Sequence, residues 1–287
     1  MTKQWLCGVV LLMLGAAAAV ADEMATPPAV FILGPTATLP WTGFFIGING
    51  GAGWANSFVV YTPNDAAAQA GTCGGVGHGQ CVPGIDFKLE GALAGGQIGY
   101  DWQINSLWLV GVEADYQWAD FTAGGQSTFH LGNVGTVGMN VEQSVTSFGT
   151  LRLRMGVLPV ASVLLYGTGG LAFGTTSESF NLLDSLAGGT GSLSSGGFSY
   201  SCTAGGPACF AGATSQTELG WTLGGGGELR LTNNLTFLTE VLYLQLGAPS
   251  IIATAQSALA GTTPASITGA FPNVKLLIAR GGFNFRF

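Results

Sequence analysis

Residues 108–118 read WLVGVEADYQW, and the alternation within them decides the fold. Trp108, Val110, Val112, Ala114, Tyr116 and Trp118 occupy the even positions, while Gly111, Glu113, Asp115 and Gln117 stand between them. A period of two, with one apolar and one polar face, is the signature of a β-strand. In a soluble sandwich the apolar face would be the core and the acids would meet water. In a membrane barrel the directions reverse, with apolar side chains toward lipid and polar ones toward the lumen.

The same alternation recurs along the chain. Phe44, Ile46, Ile48, Ala52 and Trp54 interleave with Gly43, Gly47, Asn49 and Gly51, and Ile98, Tyr100, Trp102 and Ile104 with Gln97, Gly99, Asp101 and Gln103. Gly149, Leu151, Leu153 and Met155 interleave with Thr150, Arg152 and Arg154. Trp221, Leu223, Leu229 and Leu231 do so with Thr222, Glu228 and Arg230, and Phe283, Phe285 and Phe287 with Gly282, Asn284 and Arg286. Segments near 163–173 and 235–247 bring the candidate strands to eight; in the second, Leu238, Leu242 and Leu244 share the parity of Glu240, so its facing stays open. The connections choose between sandwich and barrel. Links at 105–106, 158–161 and 232–234 are tight, whereas 55–87, 122–141, 174–216 and 248–273 are long and rich in Gly, Ser, Thr and Ala. Short turns at one end and long loops at the other are the habit of outer-membrane barrels. The expectation is therefore an all-β fold, an eight-stranded antiparallel transmembrane β-barrel with short periplasmic turns and long extracellular loops.

Composition excludes other classes. Of 287 residues, 48 are Gly, 47% are hydrophobic and only 8% are charged, so disorder, which needs low hydrophobicity and high charge, is ruled out. A net charge of −7 without a basic patch argues against nucleic acid as a partner. Residues 1–21 carry Lys3, an apolar run from Leu6 to Val20 and the small-x-small site Ala19-Val20-Ala21, which predicts a signal peptide cleaved after Ala21. Residues 22–40, with Pro27, Pro28 and Pro40, form a periplasmic lead-in, and 41–287 the barrel. Four cysteines remain in the exported chain, and Cys73, Cys81, Cys202 and Cys209 are candidate disulfide partners. Their spacing suggests two local clips, but three pairings are open; a zinc site lacks CxxC spacing.

Ten ionisable side chains fall at inward positions: Asp101, Glu113, Asp115, Arg152, Arg154, Glu228, Arg230, Glu240, Arg280 and Arg286. A charge on the lipid face costs about 2–4 kcal/mol near the midplane, so the lumen is the cheaper place. An eight-stranded interior is only wide enough for side chains to fill, and arginine and carboxylate would pair across it. Such a set either plugs the barrel or lines a narrow channel. Trp41, Trp54, Trp102, Trp108, Trp118, Trp221 and Tyr243 fall near strand ends, where interface girdles are expected. His78 and His130 lie in outer segments, no GxSxG elbow is present, and Ser127, His130 and Glu142 only weakly imitate a lipid-hydrolase set. No cofactor and no metal is implied.

The segments WTGFFIGINGGAGW (41–54), GGQIGYDWQ (95–103), GVEADYQWADF (111–121), GTLRLRMG (149–156), LLYGTGGLAFG (164–174), GWTLGGGGELRL (220–231) and FNFRF (283–287) resemble the small porin-family outer-membrane β-barrels. These are surface antigens of alphaproteobacteria related in architecture to the OmpA transmembrane domain. The resemblance implies a bacterial outer-membrane location, insertion by the outer-membrane assembly machinery with Phe287 as the assembly signal, and outer-membrane lipid as surroundings. The seventh strand departs from the family pattern at Glu240-Val241-Leu242-Tyr243, which lacks an aromatic after the glutamate. The expected role is that of a structural, surface-interaction barrel without catalysis, whose loops meet an extracellular ligand or host component. A passive diffusion channel and a haem or ligand receptor are the alternatives.

Overall fold

Alternation that persists for about twenty residues at a stretch gives strands twice as long as a bilayer requires. The computed structural model describes residues 41–65, 68, 84–131, 135–184, 190–195, 198–203, 210–255 and 265–287. They form β1 (Gly43–Pro63), β2 (Ile85–Gln103), β3 (Trp108–Leu131), β4 (Gly135–Val160), β5 (Val163–Asp184), β6 (Thr190–Ser195), β7 (Phe198–Thr203), β8 (Phe210–Arg230), β9 (Leu235–Leu246), β10 (Ser250–Ala255), β11 (Ser266–Ala270) and β12 (Lys275–Arg286). The signal peptide and lead-in read from residues 1–40, and the cysteine side chains, lie outside the described residues.

The ring closes through β1, which pairs along one edge with β2 (Ile46↔Ile98) and along the other with β12 (Ile46↔Phe285). Antiparallel ladders continue in the order β2-β3-β4-β5-β8-β9-β12. The seventh and eighth members are each interrupted. β9 stops before Gly247-Ala248-Pro249 and resumes as β10; β11 stops before Phe271-Pro272 and resumes as β12. Proline cannot donate to a ladder, and Leu246 N to Val274 O (2.9 Å) and Phe271 N to Pro249 O (3.1 Å) carry the seam instead. Above it β10 pairs with β8 and β11 with β1, so eight strands encircle the lumen at both levels. β6 and β7 form a separate hairpin.

The tight turns are built by their own side chains. Asn105 Oδ1 accepts from the amides of Leu107 and Trp108 at 2.8 Å each, and Thr232 Oγ1 accepts from Leu235 N at 3.0 Å. At the other end the strands run deep into the stretches read as loops. β3 and β4 stay paired to Leu131↔Gly135, and β5 and β8 to Leu182↔Phe210. The connections are therefore shorter than the sequence suggests, because Gly, Ser and Thr on the outer face of a solvated strand carry no apolar alternation to announce it. A bulge between Val145 and Ser147 of β4 flips parity as well.

Outward apolar side chains form a band bounded by two aromatic belts. Trp102, Trp108 and Phe285 lie exposed at the turn end, with Phe44 against Tyr100 at 4.6 Å. Trp54, Trp118 and Trp221 form the second belt, with Trp221 against Tyr243 at 5.4 Å. The ten-residue step from Trp108 to Trp118, at about 3.3 Å per residue and a tilt of about 40°, rises about 25 Å, the height of a bilayer-facing band. Beyond it β5 turns outward Thr175 and Ser177, and β2 turns outward Lys88 and Glu90.

Candidate functional site

The lumen is filled, and the filling is layered. At the turn end Trp41 is 1% exposed and lies inside the ring, not in the belt where its place near a strand end would put it. Its indole Nε1–H donates to Ala161 O at 3.0 Å, its amide donates to Gln103 Oε1 at 2.8 Å, and its carbonyl accepts from Arg286 Nη1 at 3.1 Å. The guanidiniums of Arg230 and Arg286 stand 4.5 and 4.7 Å from the ring centre. Trp41 shares the parity of Phe45, Gly47 and Asn49, the inward side of β1; that parity was the available signal.

Above Trp41 lies an ionic layer contributed by β2, β3, β4, β8, β9 and β12. Register brings the partners together: Glu113 faces Arg152 across β3–β4, and Glu240 faces Arg280 across β9–β12. Arg152 donates to Glu113, to Asp115 at 2.8 Å and to Glu240 at 2.8 Å. Arg280 reaches Glu240 at 2.6 Å, Asp115 at 3.2 Å and Glu113 at 3.5 Å. Arg154 bridges Glu113 at 3.1 Å and Glu228 at 2.9 Å, and Arg286 bridges Asp101 at 2.7 Å and Glu228 at 3.1 Å. Thr150, Thr236, Asn284, Gln97 and Asn49 extend the hydrogen bonding around the wall.

Four guanidiniums thus meet five carboxylates in one buried network spanning the lumen. Arg230, grouped with them by parity, takes no part: among the described residues it forms no ion pair, donating from Nη1 to Asn233 O at 3.2 Å at the mouth. It sits one inward step below Glu228, where the ring opens and Trp41 offers a π face instead of a carboxylate.

Inward glycines give the long side chains room. A Cβ on Gly111 would approach Tyr100 O at 2.9 Å and Arg154 Cγ at 3.1 Å. One on Gly99 would drive into the edge of the Phe45 ring and to 2.6 Å from Val112 O. Gly99→Val is therefore expected to cost about 1–3 kcal/mol by overpacking, read as a lowered midpoint in urea unfolding from lipid vesicles. An unchanged midpoint would show that the lumen has slack at this level.

Above the ions the interior becomes apolar. On β9 the inward residues are Leu238, Glu240, Leu242, Leu244 and Leu246, all buried, while Val241 faces outward. This settles the facing that the sequence left open: Leu242 and Leu244 share the parity of Glu240 because the lumen changes from ionic to greasy along the strand, while Leu238 lies opposite Glu228 on the turn side. Phe121 and Phe148, both 0% exposed, stack at 6.4 Å between ring centres. Leu89, Leu93, Ile278 and Leu276 close around them.

Ser127, His130 and Glu142 occupy separate rungs of the β3–β4 ladder, opposite Met139, Thr136 and Gly124. Among the described residues no group of three His, Cys, Asp or Glu side chains is placed to hold a metal ion.

The family described as outer membrane protein beta-barrel domain matches residues 7–263. The 31 kDa outer-membrane immunogenic protein of Brucella melitensis biotype 1 is 30% identical over 243 residues, covering 84% of this chain and 85% of that protein. The protein of the same description from Brucella suis biovar 1 matches to the same extent. Among solved structures, the outer membrane protein OprG from Pseudomonas aeruginosa aligns with a TM-score of 0.42 at 15% identity, covering 86% of this chain and 96% of that one. With antiparallel strands closed into a ring, an apolar outer band between aromatic belts and these relatives, the chain belongs to the outer-membrane protein β-barrel family and resides in the bacterial outer membrane.

Proposed function

We propose that this protein is a sealed, non-catalytic barrel whose role is to display its extracellular connections to a ligand or host component, and not to conduct solutes. The observation that carries the reading is the double filling of the lumen. The ionic layer from Asp101 to Arg286 and the apolar layer around Phe121 and Phe148 lie in series, so a hydrated solute would have to break both. Buried ion pairs contribute little net stability after desolvation, and their use here is consistent with occupying cross-section and fixing register. The Brucella relatives, described as immunogenic outer-membrane proteins, support a surface-exposed role.

The test is conductance in planar bilayers. The purified mature chain should give no discrete steps, while a heat-modifiability gel confirms that the barrel is folded. Regular, reproducible steps from folded protein would replace the sealed reading with the diffusion channel. The receptor alternative predicts saturable haem binding that disappears when segments 66–83 and 185–209 are shortened.

A further inference from the structure

We propose that Glu178 works as a proton-operated latch: with its carboxyl protonated, the extracellular half of the barrel interior stays packed shut, and ionisation lets water in and loosens that half alone.

Glu178 lies on β5, five residues past Phe173, the last outward apolar side chain described on that strand, and is therefore beyond the bilayer-facing band. Its side chain points into the lumen and is 2% exposed. Oε1 accepts from Gln143 Nε2 at 3.4 Å, and Gln143 Oε1 accepts from Ser57 Oγ at 2.8 Å. This relay runs from β5 through β4 to β1, which stands on the opposite wall of the eight-membered ring. One inward step further out, Phe180 of β5 meets Tyr61 of β1 with ring centres 4.8 Å apart. The Glu178 relay and this ring pair thus tie opposite walls together. Below them, Leu246 and Phe148 pack against the bare backbone of Gly174. The carboxyl is therefore held between two apolar floors.

Among the described side chains no cation serves it. There are eight Lys and Arg residues. Lys3 lies outside the described residues; Arg152, Arg154, Arg280 and Arg286 belong to the ionic layer, and Arg230 to the mouth. Lys88 and Lys275 point outward from β2 and β12. Among the described side chains the other charged groups on these strands are acids: Glu218 on the inner side of β8, and Glu142, Asp120, Asp86 and Glu90 on the outer faces of β4, β3 and β2. β10, β6 and β7 contribute no charged residue. Among the described residues Oε2 has no hydrogen-bond partner, and neither does the buried hydroxyl of Tyr61. An ionised carboxylate there has the neutral Gln143 amide as hydrogen-bond donor but no counter-ion among the described side chains, and a buried charge without one is costly. Burial accordingly pushes the Glu178 carboxyl up from 4.5 to about 7.

The direction of the pH effect follows. Because the carboxyl is held above its ordinary range when packed, closure is fully supported below pH 4.5 and is lost as pH rises through about 7. Between pH 5.5 and 8.5 the opening equilibrium should shift about 30-fold.

Hydrogen exchange on the full mature chain in lipid nanodiscs, corrected for intrinsic rates, tests this. Peptides from 139–145 and 174–182 should lose about 30-fold protection over that pH range, while peptides from 149–156 and 222–230 keep theirs. Glu178→Gln should abolish the pH response, and Glu178→Asp should retain it. An equal response in the glutamine variant, no response in the wild type, or a uniform loss over both halves overturns the proposal. The last comparison needs no variant to fold.

Discussion

Arg152→Gln should be among the most damaging single substitutions in the barrel, costing about 3–5 kcal/mol, because it strips one partner from a buried ion network. The guanidinium touches Glu113, Asp115 and Glu240, and its loss leaves Asp115 and Glu240 to Arg280 and Glu113 to Arg154 and Arg280. The network already holds one more carboxylate than guanidinium, so this change widens the imbalance. Glu113→Gln narrows it, leaving four of each, and the amide oxygen still accepts from one of Arg152 and Arg154, whose bonds now go to separate oxygens. The expected order of stability is therefore wild type, then Glu113→Gln, then Arg152→Gln. Equilibrium urea unfolding in vesicles would measure it. Should the glutamate variant prove the weaker of the two, net charge does not govern the layer.

Trp41→Ala should have an effect of similar size, about 3–5 kcal/mol, the usual loss for a fully buried large aromatic. The ring is held from its nitrogen by Ala161 O and faces two guanidiniums, so its removal leaves a void at the lumen mouth with Arg230 and Arg286 side by side. Trp41→Phe, which keeps a π face and loses the N–H, should recover most of the difference. The same urea series decides, and equal losses for Ala and Phe would assign the whole effect to the indole hydrogen bond.

These two sites show what was legible before any coordinates. The parity of β3 and β4 puts Glu113, Asp115, Arg152 and Arg154 on one inner face, since no cheaper place exists for charge within a lipid-facing wall. Trp41 was harder to see because an aromatic near a strand end has two plausible homes, and its parity with Phe45 separates them only once the strand's start is known. The leucines of β9 left that strand's facing open for a related reason: a lumen need not be polar over its whole height when side chains fill it. Arg230 obeys the parity but lies past the last carboxylate, a matter of height, which a period of two does not report. The outer reach of the strands left little trace, because above the membrane neither face has to be greasy.

That outer reach sets how the molecule meets the outside world. From Trp118 to Leu131 and from Phe173 to Asp184 the paired wall continues for more than ten residues, a further rise of roughly 25 Å or more. The connecting tips are consequently mounted on a stiff turret about as tall again as the bilayer-facing band. In the display role proposed above, a visiting macromolecule would meet the top of this paired wall well clear of the lipid surface.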